Sequence, residues 1–273
     1  MDVGKFRVLS MNSMHFSTDN RPENDPSARD LILPWLEQQL ADVQTRGKKA
    51  ILTYHLPHGS FLTPIGNQRF WMDKYEGRLR KILLEYRGVI SFIFTAHVHM
   101  SFLESESAIN STLKFAEAAR EEGERAKIYY GGLVVNRAHS PLFANQPGFS
   151  VFHYSADTLD YPQYYDEYTF MLQNTYNKSE EAFKYWVYLY NSRNDLQIPD
   201  LSSQSISDFL SSLANDPKKL AKYTLYRFGN PITAGSPLVD KVARKVCKRY
   251  WEEGAAAIQM CVDELKAELA ITP

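Results

Sequence analysis

Two apolar runs, "KKAILTYH" over 48–55 and "GVISFIFTAH" over 88–97, each follow a stretch with helical spacing, and this alternation constrains the chain more than any other feature. Both runs are continuously apolar rather than alternating, the pattern of strands covered on both faces of a sheet. Before the first, Leu31, Trp35, Leu36 and Leu40 recur at helical spacing from Ser27 or Asp30, with Gly47 just past the end. Pro34 places the first regular turn of that helix near itself. Before the second, Trp71, Tyr75, Leu79, Ile82 and Leu83 share one side of a helix over "RFWMDKYEGRLRKILLEY", and "LPHGSFLTPIGNQ" ahead of it reads as loop. "FRVLSMNSMHF" opens with strand character, and the turn-rich "TDNRPENDPS" follows it. Strand, helix, strand, helix, strand is the order of a layered α/β domain.

Composition excludes several function classes. The 273 residues, 44% hydrophobic, suffice for one large core or for a domain with an appendage. Lys+Arg 31 against Asp+Glu 32 gives no long-range attraction to nucleic acid or to an anionic membrane, so no nucleic-acid partner is expected. No apolar run approaches the roughly 20 residues that span a bilayer, so no transmembrane segment is expected. The opening "MDVGKFRVLS" lacks the apolar stretch of a secretory signal. Two sequons, at Asn110 and Asn177, lean toward a glycoprotein on the secretory route. Cys247 and Cys261 are too far apart to pair on one continuous helix, and bridge two helices only if the chain turns at Gly254.

Past the second apolar run the character changes. "STLKFAEAAREEGERAK" is a solvated helix or inserted loop, while "IYYGGLVV" and "FSVFHYSAD" read as strands. The aromatic run "YPQYYDEYTF" lacks the interleaved basic residues of a base-stacking platform, so packing between core and appendage is the expectation. The remainder reads as helices: "SEEAFKYWVYLYN", "SISDFLSSLAN", "DPKKLAKYTLYRF" with Asp216 as N-cap and Pro217 at the first helical position, and a stretch from Pro237 onward. A boundary near 175 divides an α/β portion, 1–174, from a helical portion, 175–273.

Each apolar run ends in histidine, His55 and His97, and His99 follows two residues later. Ligands gather at the ends of strands in open α/β sheets, and parallel neighbouring strands would bring these histidines together. In extended backbone, residues two apart share a face, so His97 and His99 point at one site while Val98 packs the other way. Neutral imidazoles so arranged suit zinc or another divalent transition metal. The plainer reading is a strand-terminal histidine satisfied by backbone or water; two strands ending alike, one of them followed by Pro57 and Gly59, favour a shared site. His15, His139 and His153 read as structural or surface residues.

"YHLPHG", a Trp- and Tyr-containing helix and then "AHVH" resemble the C-terminal half of a calcineurin-like metallophosphoesterase. The match is closer to acid sphingomyelinase-like phosphodiesterases, through "VLSMN", "DPSARDLILPWLEQQL", "NQPGFSVFHYSADT", "DYPQYYDEY" and "EAFKYWVYLYN", and it covers nearly the whole chain. The resemblance implies part of a layered α/β/β/α sandwich with a C-terminal α-helical subdomain. It implies two zinc ions, with His55 and His97 on one and His99 on the other, and a bridging hydroxide that attacks a phosphate ester, a phospholipid headgroup among the substrates. A secreted, lysosomal or vacuolar location follows from the same resemblance. His58 stands where the family often has a second proline; it would face the substrate phosphate or, more plainly, solvent. Ala96 replaces the family's usual glycine, which is tolerated if its φ stays negative.

The departures are as informative. Asp-x-His and Gly-Asp are absent, and the Gly-Asn pairs at 66 and 229 are followed by Gln68 and Pro231 rather than histidine. Without the bridging aspartate, two dications a few Å apart repel strongly, so a two-metal centre and full catalysis by this chain alone are not expected. No catalytic acid or base is assigned from the sequence. The chain then reads as the C-terminal portion of a longer phosphodiesterase or as a shortened, non-catalytic relative; an endopolyphosphatase-like hydrolase and a binding module that keeps the fold are the alternatives.

Overall fold

The strands that the apolar runs predict form the middle of a parallel sheet. A computed structural model describes residues 1–20, 26–63, 66–109, 127–140, 145–155, 157–172, 185–229, 237–247 and 255–271. The chain runs through β1 (Asp2–Val3), β2 (Phe6–Met11), the 3-10 turn η1 (Ser13–Phe16), α1 (Pro26–Thr45), β3 (Lys49–Tyr54), β4 (Ser60–Thr63), β5 (Gly66–Arg69), α2 (Asp73–Glu85) and β6 (Ile90–Thr95). It continues through β7 (Phe102–Ile109), β8 (Lys127–Val135), β9 (Gly148–His153), β10 (Tyr164–Phe170), β11 (Trp186–Asn191), α3 (Ser203–Ser212), α4 (Pro217–Arg227), α5 (Pro237–Cys247) and α6 (Ala255–Ile271). The fold class is the α/β class expected.

The large sheet has the order β1-β2-β3-β6-β8-β7. Its inner strands β2, β3, β6 and β8 run parallel, and β1 and β7 pair antiparallel at the two edges. Adjacent residues on β6 show that both faces are covered. Ile93 packs with Leu33, Leu36, Leu40 and Val43 of α1 and Leu79, Ile82 and Leu83 of α2. Phe92, pointing the other way, packs with Leu103, Val134, Tyr165, Tyr190, Ile206 and Phe209, which bring in the second sheet and α3. That second sheet is antiparallel, in the order β11-β10-β9. Gly132 of β8 sits at a close contact between layers: an added Cβ would lie 2.5 Å from the Phe92 ring and 3.0 Å from the Leu201 carbonyl oxygen.

Four expectations are corrected. The first helix runs through Pro34 instead of starting near it. A proline inside a helix costs about 3 kcal/mol, but Leu33, Leu36, Leu40 and Val43 are buried at 1% exposure or less, and each such side chain contributes about 1.5–3 kcal/mol. The tertiary contacts win. Trp71 lies ahead of α2 rather than on it, buried, its Nε1 donating to the Leu56 carbonyl at 2.8 Å. The loop after His55 contains the β4–β5 hairpin. Finally, "WVYLYN" is a strand, β11, where a helix was expected; aromatic and β-branched residues suit a pleated, half-buried surface.

β11 pairs with β10, so sheet pairing joins the chain on either side of the division drawn at 175. Asp216 caps α4 as expected, its carboxylate accepting from the amides of Lys218 and Lys219. Cys247 and Cys261 form a disulfide between α5 and α6, with Cα atoms 5.8 Å apart, beside a small cluster of Ala221, Leu225, Val242, Val262 and Leu265. The charged segment after residue 110, both sequon asparagines and Gly254 lie outside the described residues. Among the described residues, no helix is long and apolar enough to cross a membrane.

Candidate metal centre

Parallel pairing brings the histidines together because β3 and β6 end at the same level. Thr53 pairs with Phe94, and just beyond the ladder the amide of Ala96 donates to the His55 carbonyl at 3.0 Å. The imidazoles meet there, His55 Nε2 lying 3.2 Å from His97 Nδ1, with ring centroids 5.1 Å apart. The segment after His55 is held from both sides. Ser13 Oγ accepts from the Leu56 amide at 2.7 Å, and Trp71 Nε1 donates to the Leu56 carbonyl. The Phe70 ring stands edge-on to His97 with centroids 4.8 Å apart.

The backbone differs from the extended geometry expected for "HVH". β6 ends at Thr95, and His97 and His99 adopt left-handed conformations, with φ of 73° and 64°. Such angles in non-glycine residues cost about 1–3 kcal/mol each and gather at functional sites. Val98 between them is buried, as expected. Ala96 is absent from the positive-φ residues, which is what tolerance of alanine there requires.

His99 Nδ1 lies 2.9 Å from Ser140 Oγ, and His99 is near enough for its charge to act on His97. His58 is fully buried, so the solvent-facing reading is corrected. Its Nδ1 meets the Tyr54 hydroxyl at 2.7 Å, beside the Trp71 ring, and it presents no surface to a substrate. A residue one position past Pro57 would ordinarily sit in open loop; here the Tyr54 and Trp71 rings pack against it.

Burial lowers the pKa of His97 below the ordinary histidine value, and the neighbouring His55 and His99 act the same way against the opposing charge of Asp19. A neutral imidazole is the form that ligates a metal. Two nitrogens on one tetrahedral zinc, each bonded at about 2.0–2.1 Å, stand about 3.3 Å apart. The 3.2 Å between His55 Nε2 and His97 Nδ1 therefore fits two ligands of a single cation as well as it fits a hydrogen bond. Among the described residues, no group of three or more His, Cys, Asp or Glu side chains is arranged to hold a metal ion. Among the described residues no carboxylate completes the pair or bridges to a second ion.

The sequence reading passed over Ser140, Phe70 and Asp19. Asp19 sits in a turn-rich segment with no motif to mark it, and Ser140 reaches His99 from a loop 41 residues away. No protein-family model matches the chain. It is distantly homologous to Acid sphingomyelinase-like phosphodiesterase 3b of Homo sapiens, with 23% identity over 226 residues, covering 82% of this chain and 46% of that protein. The Mus musculus protein of the same name is also 23% identical, over 230 residues and with the same coverage. The chain thus spans about half the length of the curated relatives it matches.

Proposed function

We propose that the chain belongs to a hydrolase of phosphoric diesters and that His55 and His97 hold one zinc ion at the ends of β3 and β6. The observation that carries this reading is the 3.2 Å separation of their ring nitrogens, at strand ends where parallel sheets gather ligands. The names of the two relatives support the ester class. A zinc ion, when bound, polarises phosphoryl oxygens and makes bound water nucleophilic near neutral pH. The residues of this chain position it. The Ala96–His55 backbone bond fixes the strand ends, Phe70 shields one side of His97, and Ser140 orients His99 beside the pair. His99 is the residue that would meet a second ion or a phosphoryl oxygen. A phospholipid headgroup is among the esters to test. The Cys247–Cys261 disulfide and the two sequons support a secretory, lysosomal or vacuolar location, since disulfides persist in oxidising compartments.

One observation favours a second reading, a non-catalytic module that binds a cation without turnover: no carboxylate completes the histidine pair among the described residues. Zinc titration combined with hydrolysis of bis(p-nitrophenyl) phosphate separates the two. Zinc-dependent turnover that His97→Ala removes supports the hydrolase. Zinc binding without turnover supports the module, and absence of zinc binding overturns both.

A further inference from the structure

A cavity of about 410 Å³ is lined, among the described residues, by Met14, His15, Ser17, Asp19 and Asn20. It is built by η1, which directly follows β2. Met11 at the end of β2 pairs with Tyr54 at the end of β3, so the turn emerges at the same edge of the sheet as His55. Three contacts fix its wall: the Thr18 amide donates to the Phe70 carbonyl at 2.8 Å, Met72 donates to the Phe16 carbonyl at 2.9 Å, and Ser17 bridges to Trp71. Phe70 is the residue whose ring lies against His97, and Asp19 on the cavity wall is near enough for its charge to act on His97. The cavity and the histidine pair are therefore neighbours.

The lining has a particular chemistry. Asp19, Asn20 and Ser17 offer acceptors and donors suited to hydroxyl groups, Met14 offers an apolar surface, and among the described residues no lysine or arginine lines the cavity. Such a wall suits the alcohol half of a phosphate ester better than the phosphate itself. An alkoxide is a strong base, so cleavage of an alkyl ester needs a proton delivered to the departing oxygen. His15 is the lining residue of the type that most often serves as a general acid. Its ring makes no hydrogen bond among the described residues, while its carbonyl accepts from Asn20 Nδ2 at 3.4 Å, which ties the turn to the cavity floor.

We infer that this cavity seats the leaving alcohol of a phosphate ester and that His15 carries the proton to it. The inference rests on the hydrolase reading for the cleavage step, but not for binding. In that step a water oxygen bonds to phosphorus as the bond from phosphorus to the alcohol oxygen breaks. The bonding pair leaves on the alcohol oxygen, the His15 imidazolium protonates it, and the proton shed by the attacking water passes to solvent.

Two measurements on the chain test this. In the zinc-loaded protein, rates on diphenyl phosphate and bis(p-nitrophenyl) phosphate are compared, because nitrophenolate needs little help to leave. His15→Gln is expected to lower the ratio of the first rate to the second by about a hundredfold; an unchanged ratio overturns the role of His15. In the metal-free protein, the His15 ring signals are followed by NMR during titration with glycerol phosphate. A saturable shift at His15, with His139 and His153 unmoved, supports the seat, and no shift overturns it. If neither ester is cleaved while His15 still shifts, the hydrolase reading fails and the binding cavity stands.

Discussion

His97 and His99 hold left-handed angles that nothing in "TAHVHMS" announces. The sequence shows that each apolar strand ends in histidine, and parallel pairing does bring His55 to His97. It does not show that the backbone turns left-handed after Ala96, because φ there is set by the packing of Val98 and the tie from Ala96 to His55, both long-range effects. A second residue-scale feature was equally hidden. Arg137 and Glu167 form a fully buried ion pair at 2.6 Å, with Ser150 donating to the other carboxylate oxygen. Burial raises the Glu167 pKa, and Arg137 and Ser150 oppose that shift. The arginine is wedged against Gly148 and Gly229, where any Cβ would collide with its guanidinium. Removing one partner strands the other charge, so Glu167→Gln is expected to cost about 3–5 kcal/mol. Replacing both, as Arg137→Met with Glu167→Leu, should recover most of that loss in chemical denaturation. An additive double mutant would contradict the account.

At the scale of elements, strands covered on both faces were the most legible, since β3 and β6 read as unbroken apolar runs. The β4–β5 hairpin was not legible, because "SFLT" and "GNQR" carry no sustained alternation. β11 was misread because helix-forming "SEEAFK" precedes it, although "WVYLY" alone has strand composition. The close contact at Gly132 gives the element-scale prediction. Gly132→Ala forces a methyl toward the Phe92 ring and the Leu201 carbonyl, and the backbone oxygen cannot swing away. Overpacking of this kind costs about 1–3 kcal/mol. Thermal unfolding should show a lowered midpoint, and an unchanged midpoint would mean the layers are less closely opposed than described.

For the whole molecule, two devices hold packed elements together. Tyr165, Tyr190 and Tyr223 are buried where the second sheet and α4 meet the large sheet, and desolvation raises all three pKa values. Tyr154 is pushed up to about 12 by the same cause. The unfolded chain gives up its phenolic protons near pH 10, whereas the folded chain keeps these. The stabilisation is therefore complete below pH 10 and is lost as pH rises toward 12 and beyond. Phenolate absorbance should rise for these tyrosines together with loss of structure; gradual ionisation in a chain that stays folded would contradict their burial. The disulfide is the second device. Closing a loop of about 15 residues is worth about 3 kcal/mol, so reduction should melt the α5–α6 pair while the large sheet persists. Uniform loss of structure on reduction would contradict that separation.

The central claim is that the ends of β3 and β6 deliver two imidazoles to one cation, and zinc calorimetry on the intact chain tests it most directly. One equivalent bound per chain, abolished by either His55→Ala or His97→Ala, is the predicted result. Zinc binding that survives both substitutions, or none by the unaltered chain, contradicts the claim.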